Sequence, residues 1–243
     1  MCDHYKRNCN IICPQCNEDF ACRHCHNLIK YEQEIDINLS HNIDRKLIKE
    51  VICRECDTRQ TISNLCINCG ISFGVYFCSI CNYFDNEDKG QFHCGKCGIC
   101  RVGGRENFFH CDKCNACYSN SLKDNHICID NSMNQNCVIC MDDLFNSTKG
   151  VSVLKCGHTI HADCLNEYLK SNYKCPICQK SIHTLYFNYI QQEIDNTIMP
   201  EEYKDVDKNI TCNDCNKQSI HKFHIIAMKC IHCNSFNTKE YKQ

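Results

Sequence analysis

Between Cys137 and Cys178, eight residues able to bind a soft divalent ion follow the spacing Cys-x2-Cys-x15-Cys-x1-His-x2-His-x2-Cys-x10-Cys-x2-Cys. Thiolates and imidazoles in such an order are the donors of tetrahedral zinc, and Cys137, Cys140, Cys156, His158, His161, Cys164, Cys175 and Cys178 complete two sites. Cysteines committed to metal supply no nucleophile. The chemistry expected of this segment is therefore structural, the holding of loops in a fixed shape.

The same donor types continue on both sides. From Cys78 to Cys128 the candidates are Cys78, Cys81, His93, Cys94, Cys97, Cys100, His110, Cys111, Cys114, Cys117, His126 and Cys128, enough for three ions. Within them His93-Cys94-x2-Cys97-x2-Cys100 returns as His110-Cys111-x2-Cys114-x2-Cys117, every member displaced by 17. Such regularity favours one shared metal-binding geometry. Neighbours such as His93 and Cys94 point in different directions and are expected to serve different ions, but spacing leaves the full pairing open.

The N-terminal stretch offers Cys2, His4, Cys13, Cys16, Cys22, Cys25, His26, His41, Cys53, Cys56, Cys66 and Cys69, with Cys9 as one candidate more than three ions require. Cys53/Cys56 and Cys66/Cys69 read as one closed site. Cys9 has no partner at two-residue spacing and reads as a small buried thiol. Near the C-terminus, Cys212, Cys215, Cys230 and Cys233 frame one more ion. The count closes at 36 donors for nine zinc ions, using 28 of 29 cysteines and eight of 13 histidines. His24, His183, His221, His224 and His232 fall outside and read as surface or packing residues.

The chain has 243 residues, of which 43% count as hydrophobic, but that class includes the cysteines and there is no Trp. Modules of about 50 residues with so few apolar side chains need staples to fold. The N-terminus carries no apolar signal core, and no stretch approaches the roughly 20 apolar residues of a membrane span. A reducing compartment, cytoplasmic or nuclear, is the expectation, and there Cys-x2-Cys pairs mixed with histidines mean zinc rather than disulfides. The formal charge of -2 falls to about -12 once the thiolates and ions are included. Such a surface suits protein partners and disfavours nonspecific binding to nucleic acid.

The elements that position these donors are expected to be short knuckle turns and strands such as 73–77. A helix is expected from about Ala162 to Ser171, where Leu165, Tyr168 and Leu169 share a face, and another from Thr184 to Thr197, ended by Pro200. The second is expected to pack against a neighbouring zinc module, with dimerisation as the alternative. The fourteen residues between Cys215 and Cys230 suggest a β-hairpin. The fold class is thus a series of small zinc-stabilised modules, irregular or α+β.

The eight-donor segment resembles a RING domain, which implies a cross-brace: Cys137, Cys140, His161 and Cys164 on one ion, Cys156, His158, Cys175 and Cys178 on the other. Cys2-Asp3-His4-Tyr5, the Cys22-Arg23-His24-Cys25-His26 run, Phe92-His93-Cys94 through Cys100-Arg101-Val102-Gly103-Gly104, and Phe108-Phe109-His110-Cys111 resemble CHY-type and CTCHY-type zinc fingers. Nearly the whole chain is similar to the family of RING and CHY zinc finger ubiquitin ligases. The resemblance implies a CHY finger over 1–75 with three zinc ions, a CTCHY finger over 76–132 with three, a RING over 133–182 with two, a helical linker over 183–204 and a zinc ribbon over 205–243 with one. Cys13-Pro14-Gln15-Cys16 departs from the adjacent cysteines usual in relatives. Plant relatives can carry preceding hemerythrin-like domains, and this chain starts almost at the CHY finger, so iron sensing is not expected.

By the same resemblance the RING is expected to hold a ubiquitin-charged conjugating enzyme so that ubiquitin passes directly to a lysine of a protein substrate, a catalysis by positioning. Ile139, Pro176 and Tyr168 are expected to line the docking groove. Gln179 stands where many RINGs carry a basic residue that bridges conjugating enzyme and ubiquitin, which predicts a weaker bridge. The competing expectations are a non-catalytic zinc scaffold, a thiol ligase, for which only Cys9 would be spare, and nucleic-acid binding by the fingers.

Overall fold

The computed structural model describes residues 2–183 and 185–241. The chain divides into two compact units, Met1–His110 with Cys117–Asn120 and Cys111–Ala116 with Ser121–Gln243. One local device builds most of both. The first cysteine of a Cys-x2-Cys pair accepts a backbone hydrogen bond from the residue four positions on, as in Asn17 to Cys13, Asp57 to Cys53, Gly70 to Cys66, Met141 to Cys137 and Gln179 to Cys175, at 2.8 to 3.0 Å. That residue has positive φ in ten knuckles, at Asn17, Asp57, Gly70, Asn82, Gly98, Asn115, Met141, Gln179, Asn216 and Asn234. Gly, Asn and Asp tolerate the left-handed region, and they fill eight of these positions. Met141 and Gln179 do so at a cost.

In the first unit the knuckles serve as turns of antiparallel hairpins. Cys9–Ile12 and Asp19–Phe20 flank the Cys13 knuckle, and Glu50–Cys53 and Arg59–Thr61 flank the Cys53 knuckle. These four strands form one sheet in the order Asp19–Phe20, Cys9–Ile12, Glu50–Cys53, Arg59–Thr61, with Cys9 opposite Cys53 and Ile11 opposite Val51. Its buried face carries Cys9, Ile11, Val51 and Cys53, packed with Ile43, Ile48, Phe73 and Phe84. Phe73 meets Phe84 edge to face at 6.1 Å, and Phe77 stacks on Phe84 at 4.7 Å. A five-residue helix, α1 (Arg23–Asn27), is capped by the Cys22 thiol accepting from the Cys25 N–H and runs on into a π-turn at Leu28–Glu32.

The expected strand over 73–77 is shifted to Tyr76–Cys78, paired with Tyr83–Asp85. The Asn64 amide binds both backbone groups of Gly74, accepting from its N–H (3.1 Å) and donating to its carbonyl (2.9 Å), so the ladder cannot begin there. A Cβ on Gly74 would lie 2.8 Å from Asp85 N, which leaves no room for a larger residue.

The second unit holds a hairpin of Val151–Val153 and Thr159–His161 followed by α2 (Ala162–Tyr168). This helix stops short of the expected Ser171, because Asn172 Nδ2 donates to the Tyr168 carbonyl at 3.2 Å and turns the chain away. Gly157 has φ +91°, and a Cβ there would lie 2.5 Å from the Ile127 carbonyl oxygen. The later helix, α3 (Leu185–Asn196), ends one residue before the expected Thr197, and Thr184 lies outside the described residues. It packs through Phe187 and Ile190 against Tyr173 on one side and Phe236 on the other.

The expected hairpin between Cys215 and Cys230 is not what forms. Gln218–Lys222 pairs back across the knuckle with Asp207–Cys212, and Thr238–Glu240 adds to the other edge of Asp207–Cys212. The knuckle itself is the turn, so only one of the two arms lies between the cysteine pairs.

Candidate metal centres

Most candidate donors are carried by these knuckles or on a strand or helix, while Cys2, His4, His41, His126, Cys128 and His158 come from irregular segments. Cys2, His4, Cys22 and Cys25 converge at the start of α1. Cys13, Cys16, His26 and His41 form a second group, and Cys53, Cys56, Cys66 and Cys69 a third. In each, the possible ligand atoms lie within 4.8 Å of one another, and the same holds for Cys78, Cys81, His93 and Cys100, for Cys94, Cys97, His110 and Cys117, and for four further groups.

The pairing that spacing left open in the middle segment follows from strand alternation. His93 lies directly across from Cys100, and Cys94 across from Ile99. Successive side chains leave a strand on opposite faces, so His93 and Cys100 meet Cys78 and Cys81 while Cys94 turns toward the next cluster. There it joins Cys97, His110 and Cys117. His126 then meets Cys114 at 3.6 Å and Cys128 at 3.2 Å, and Cys111 lies 3.7 Å from Cys128. Each doublet of adjacent His and Cys is thus split between two clusters, linking three of them like a chain.

In the segment 137–178, Cys140 lies 3.2 Å from His161 Nδ1, and Cys164 shares hydrogen bonds with Cys140 and Cys137. His158 Nδ1 lies 3.4 Å from Cys156 and 3.7 Å from Cys175, and Cys178 hydrogen-bonds Cys156. In the C-terminal sheet, Cys212 faces Cys233 at 3.5 Å and Cys215 faces Cys230 at 3.6 Å.

These separations fit a tetrahedral ion. Zn–S bonds of about 2.3 Å and Zn–N bonds of about 2.05 Å require S···S near about 3.8 Å, S···N near about 3.6 Å and N···N near about 3.3 Å. Cys22 to His4 is 3.6 Å, Cys53 to Cys69 is 3.7 Å, and His26 Nε2 to His41 Nε2 is 3.2 Å. Two like imidazole nitrogens held at that distance have no favourable arrangement without a cation between them unless one carries the proton.

The second ring nitrogens support the same assignment. His26 Nδ1 faces Asn27 Oδ1 at 3.0 Å, His41 Nδ1 faces the Leu39 carbonyl at 2.7 Å, and His126 Nδ1 faces the Leu122 carbonyl at 2.8 Å. With the proton on Nδ1, each Nε2 lone pair is free for metal. The thiols show what metal would relieve. A hydrogen bond from Cys100 draws Cys81 down to about 5, one from Cys117 draws Cys97 down to about 4, and the donors Cys100 and Cys117 are pushed far up. One negative charge per cluster is easily held, and a second needs a cation nearby.

Cys9 is in none of the clusters named above. It is fully buried in the sheet core, and desolvation pushes its thiol up to about 11. His24 stacks on His4 at 5.0 Å and meets the Tyr5 hydroxyl at 3.1 Å, and burial first, then neighbouring cations, lowers it to about 3. The remaining groove candidates lie on two knuckles and a helix. Ile139 is 40% exposed in the first knuckle and Ile177 is 38% exposed in the second, beside half-buried Pro176. Tyr168 ends α2 half-buried, its phenol pushed up by desolvation and then by the nearby Cys175 thiolate. Sequence reasoning did not find Ile177, although its Pro176-Ile177 position in the second knuckle mirrors that of Val138-Ile139 in the first.

A series of zinc modules built on cysteine knuckles, one of them a cross-braced pair, is the class that this fold and these clusters define. The chain matches the CHY zinc finger family over residues 2–76, the Ring finger domain over 135–179 and a zinc-ribbon family over 183–239. It is 47% identical over 242 residues to E3 ubiquitin-protein ligase SRFP1 of Oryza sativa subsp. japonica, covering 98% of this chain and 90% of that protein. Against E3 ubiquitin-protein ligase RZFP34 of Arabidopsis thaliana the identity is 43%, over 98% of this chain and 84% of the relative. A probable E3 ubiquitin-protein ligase RZFP34 of Oryza sativa subsp. japonica is 44% identical, over 98% and 80%. The chain belongs to this family of CHY zinc finger, RING finger and zinc ribbon E3 ubiquitin-protein ligases. Among the described residues no helix is long and apolar enough to cross a membrane.

Proposed function

We propose that this RING-type E3 ubiquitin ligase docks a ubiquitin-charged conjugating enzyme on the surface formed by Ile139, Pro176 and Tyr168, while the N-terminal fingers and the ribbon bind the protein substrate. The observation that carries the reading is the pair of exposed apolar side chains, Ile139 and Ile177, on the two RING knuckles. Hydrophobic side chains held out by metal-fixed loops give a rigid contact surface without ordering cost on binding. Catalysis is then by positioning the thioester against a lysine, with no covalent ligase intermediate. The burial of Cys9 away from solvent argues against a thiol relay.

The ligand sets are assigned as the clusters above, nine ions in all, with modules at 1–75, 76–132, 133–182 and 205–243 joined by the helical segment 183–204. Cysteines gathered with histidines at metal-ligand distances suit a reducing compartment, where thiols serve zinc rather than disulfides. Single-turnover discharge of ubiquitin from a panel of charged conjugating enzymes onto lysine tests the reading. Acceleration by the zinc-loaded protein and its loss in Ile139→Ala are expected. No acceleration with any enzyme of a broad panel would favour a non-catalytic scaffold.

A further inference from the structure

The backbone leaving the second RING knuckle is held from two sides. Within the RING, Cys175 N donates to the Lys180 carbonyl at 2.7 Å. From the ribbon, Asn237 Nδ2 donates to the Gln179 carbonyl at 2.7 Å, and Asp214 Oδ1 accepts from the Ser181 N–H at 2.8 Å. Asn237 is fully buried, and its amide also donates to Asp214 Oδ1 at 3.0 Å and accepts from Asn213 Nδ2 at 3.0 Å. Buried Ser235 completes the set by donating to Asp214 Oδ2 at 2.6 Å. Neither Asp214 nor Asn237 is a candidate metal ligand, and the ribbon cluster is complete without them.

Apolar packing of α3 between Tyr173 and Phe236 would join RING and ribbon without fixing register. A half-buried carboxylate bound to a fully buried amide through directional partners does fix it, because misplacement leaves charge and amide unsatisfied. The residue so captured, Gln179, has φ +61° with a full side chain, and besides the knuckle's own bond from its N–H to the Cys175 carbonyl at 2.9 Å its carbonyl is held from the ribbon. We infer that Asp214 and Asn237 are positioning residues for ubiquitin transfer: the ribbon sets the geometry of the Pro176–Gln179 loop that meets the charged conjugating enzyme. This rests on the groove reading given above.

The test uses the full zinc-loaded chain. Asn237→Ala and Asp214→Ala should each slow ubiquitin discharge at saturating charged enzyme by about fivefold or more, with affinity for the uncharged enzyme changed by less than about twofold. Zinc content should stay at the wild-type value, amide exchange at Ser181 should accelerate, and Asp214→Asn, which keeps an acceptor for Ser181, should recover most of the rate. If Asn237→Ala loses zinc, Asn237→Ser, smaller yet still able to serve Asp214, carries the same readouts. Unchanged discharge in the ribbon variants while Ile139→Ala abolishes it would overturn the positioning role alone. Discharge that survives Ile139→Ala would overturn the groove reading and the inference with it.

Discussion

His93 stands directly across from Cys100 in its hairpin, with Nδ1 3.8 Å from Sγ, while Cys94, next to it in the chain, faces the other way and approaches His110 at 3.7 Å. Two adjacent residues therefore belong to two metal clusters. The same split recurs at His110 and Cys111, so the three middle clusters share their strands.

Zinc content reads this arrangement directly. The native protein should bind about nine zinc ions per chain, and Cys100→Ala and Cys117→Ala should each weaken their own ion and, through the shared strand, its neighbour. Cys9→Ala should leave the count unchanged. Metal analysis after gel filtration decides the matter, and a loss of one ion in Cys9→Ala would return Cys9 to the ligand set.

Chelation should unfold these modules. Structural zinc contributes about 10–16 kcal/mol per site in finger peptides, more than the stability of an ordinary domain. A chelated sample should lose its cooperative thermal transition and regain it on adding zinc. A transition that persists in the chelated protein would contradict a fold held by metal.

Gln179→Arg isolates the residue beyond the last RING cysteine. Gln and Arg pay the same backbone cost at φ +61°, so the exchange alters only the side chain. A guanidinium can make charge-assisted hydrogen bonds that an amide cannot. Ubiquitin discharge should rise by about threefold or more at unchanged zinc content, and an unchanged rate would show that this side chain does not touch the transferred ubiquitin.

Asp85 gives a pH signature. Its carboxylate is fully buried, and although burial alone would raise its pKa, the Tyr83 hydroxyl, the Glu87 N–H and Lys89 Nζ, at 2.7 to 3.1 Å, hold it below the usual range. A depressed folded pKa stabilises above the unfolded value of about 3.9 and ceases to do so as pH falls through the folded value. Asp85→Asn should cost about 1–3 kcal/mol at neutral pH. Denaturant titrations should show that difference constant down to about pH 5 and narrowing only below it.

The donors were legible in the sequence because metal chemistry restricts them to two residue types at short fixed spacings. The pairing of His93 with Cys100 was not, because it depends on a register that one-residue slips would reverse. The C-terminal hairpin was misplaced for a related reason. Polar, β-prone residues between Cys215 and Cys230 looked like two arms, whereas the Cys212 knuckle had already supplied the turn. Asn64 and Asn172 shortened a strand and a helix by side-chain hydrogen bonds over eight to ten residues and four residues respectively, which hydrophobic periodicity does not register. Asp214 and Asn237 carry no spacing signal at all, since the RING groups they hold are backbone groups more than thirty residues away.

The locality of the knuckle clusters bears on how the protein is made. Cys13 and His41, 28 residues apart, are among the most widely separated donors that meet, and Cys94 and His110 are only 16 apart. Closing such short loops costs little entropy. Each cluster can capture its ion as soon as its own stretch of chain emerges from the ribosome, without waiting for distant segments. Among these clusters the ribbon's donors stand after those of the RING in the sequence. Local closure thus lets the RING knuckle form before Asp214 and Asn237 are synthesised, and their capture of Gln179 and Ser181 joins two modules each able to take up metal alone.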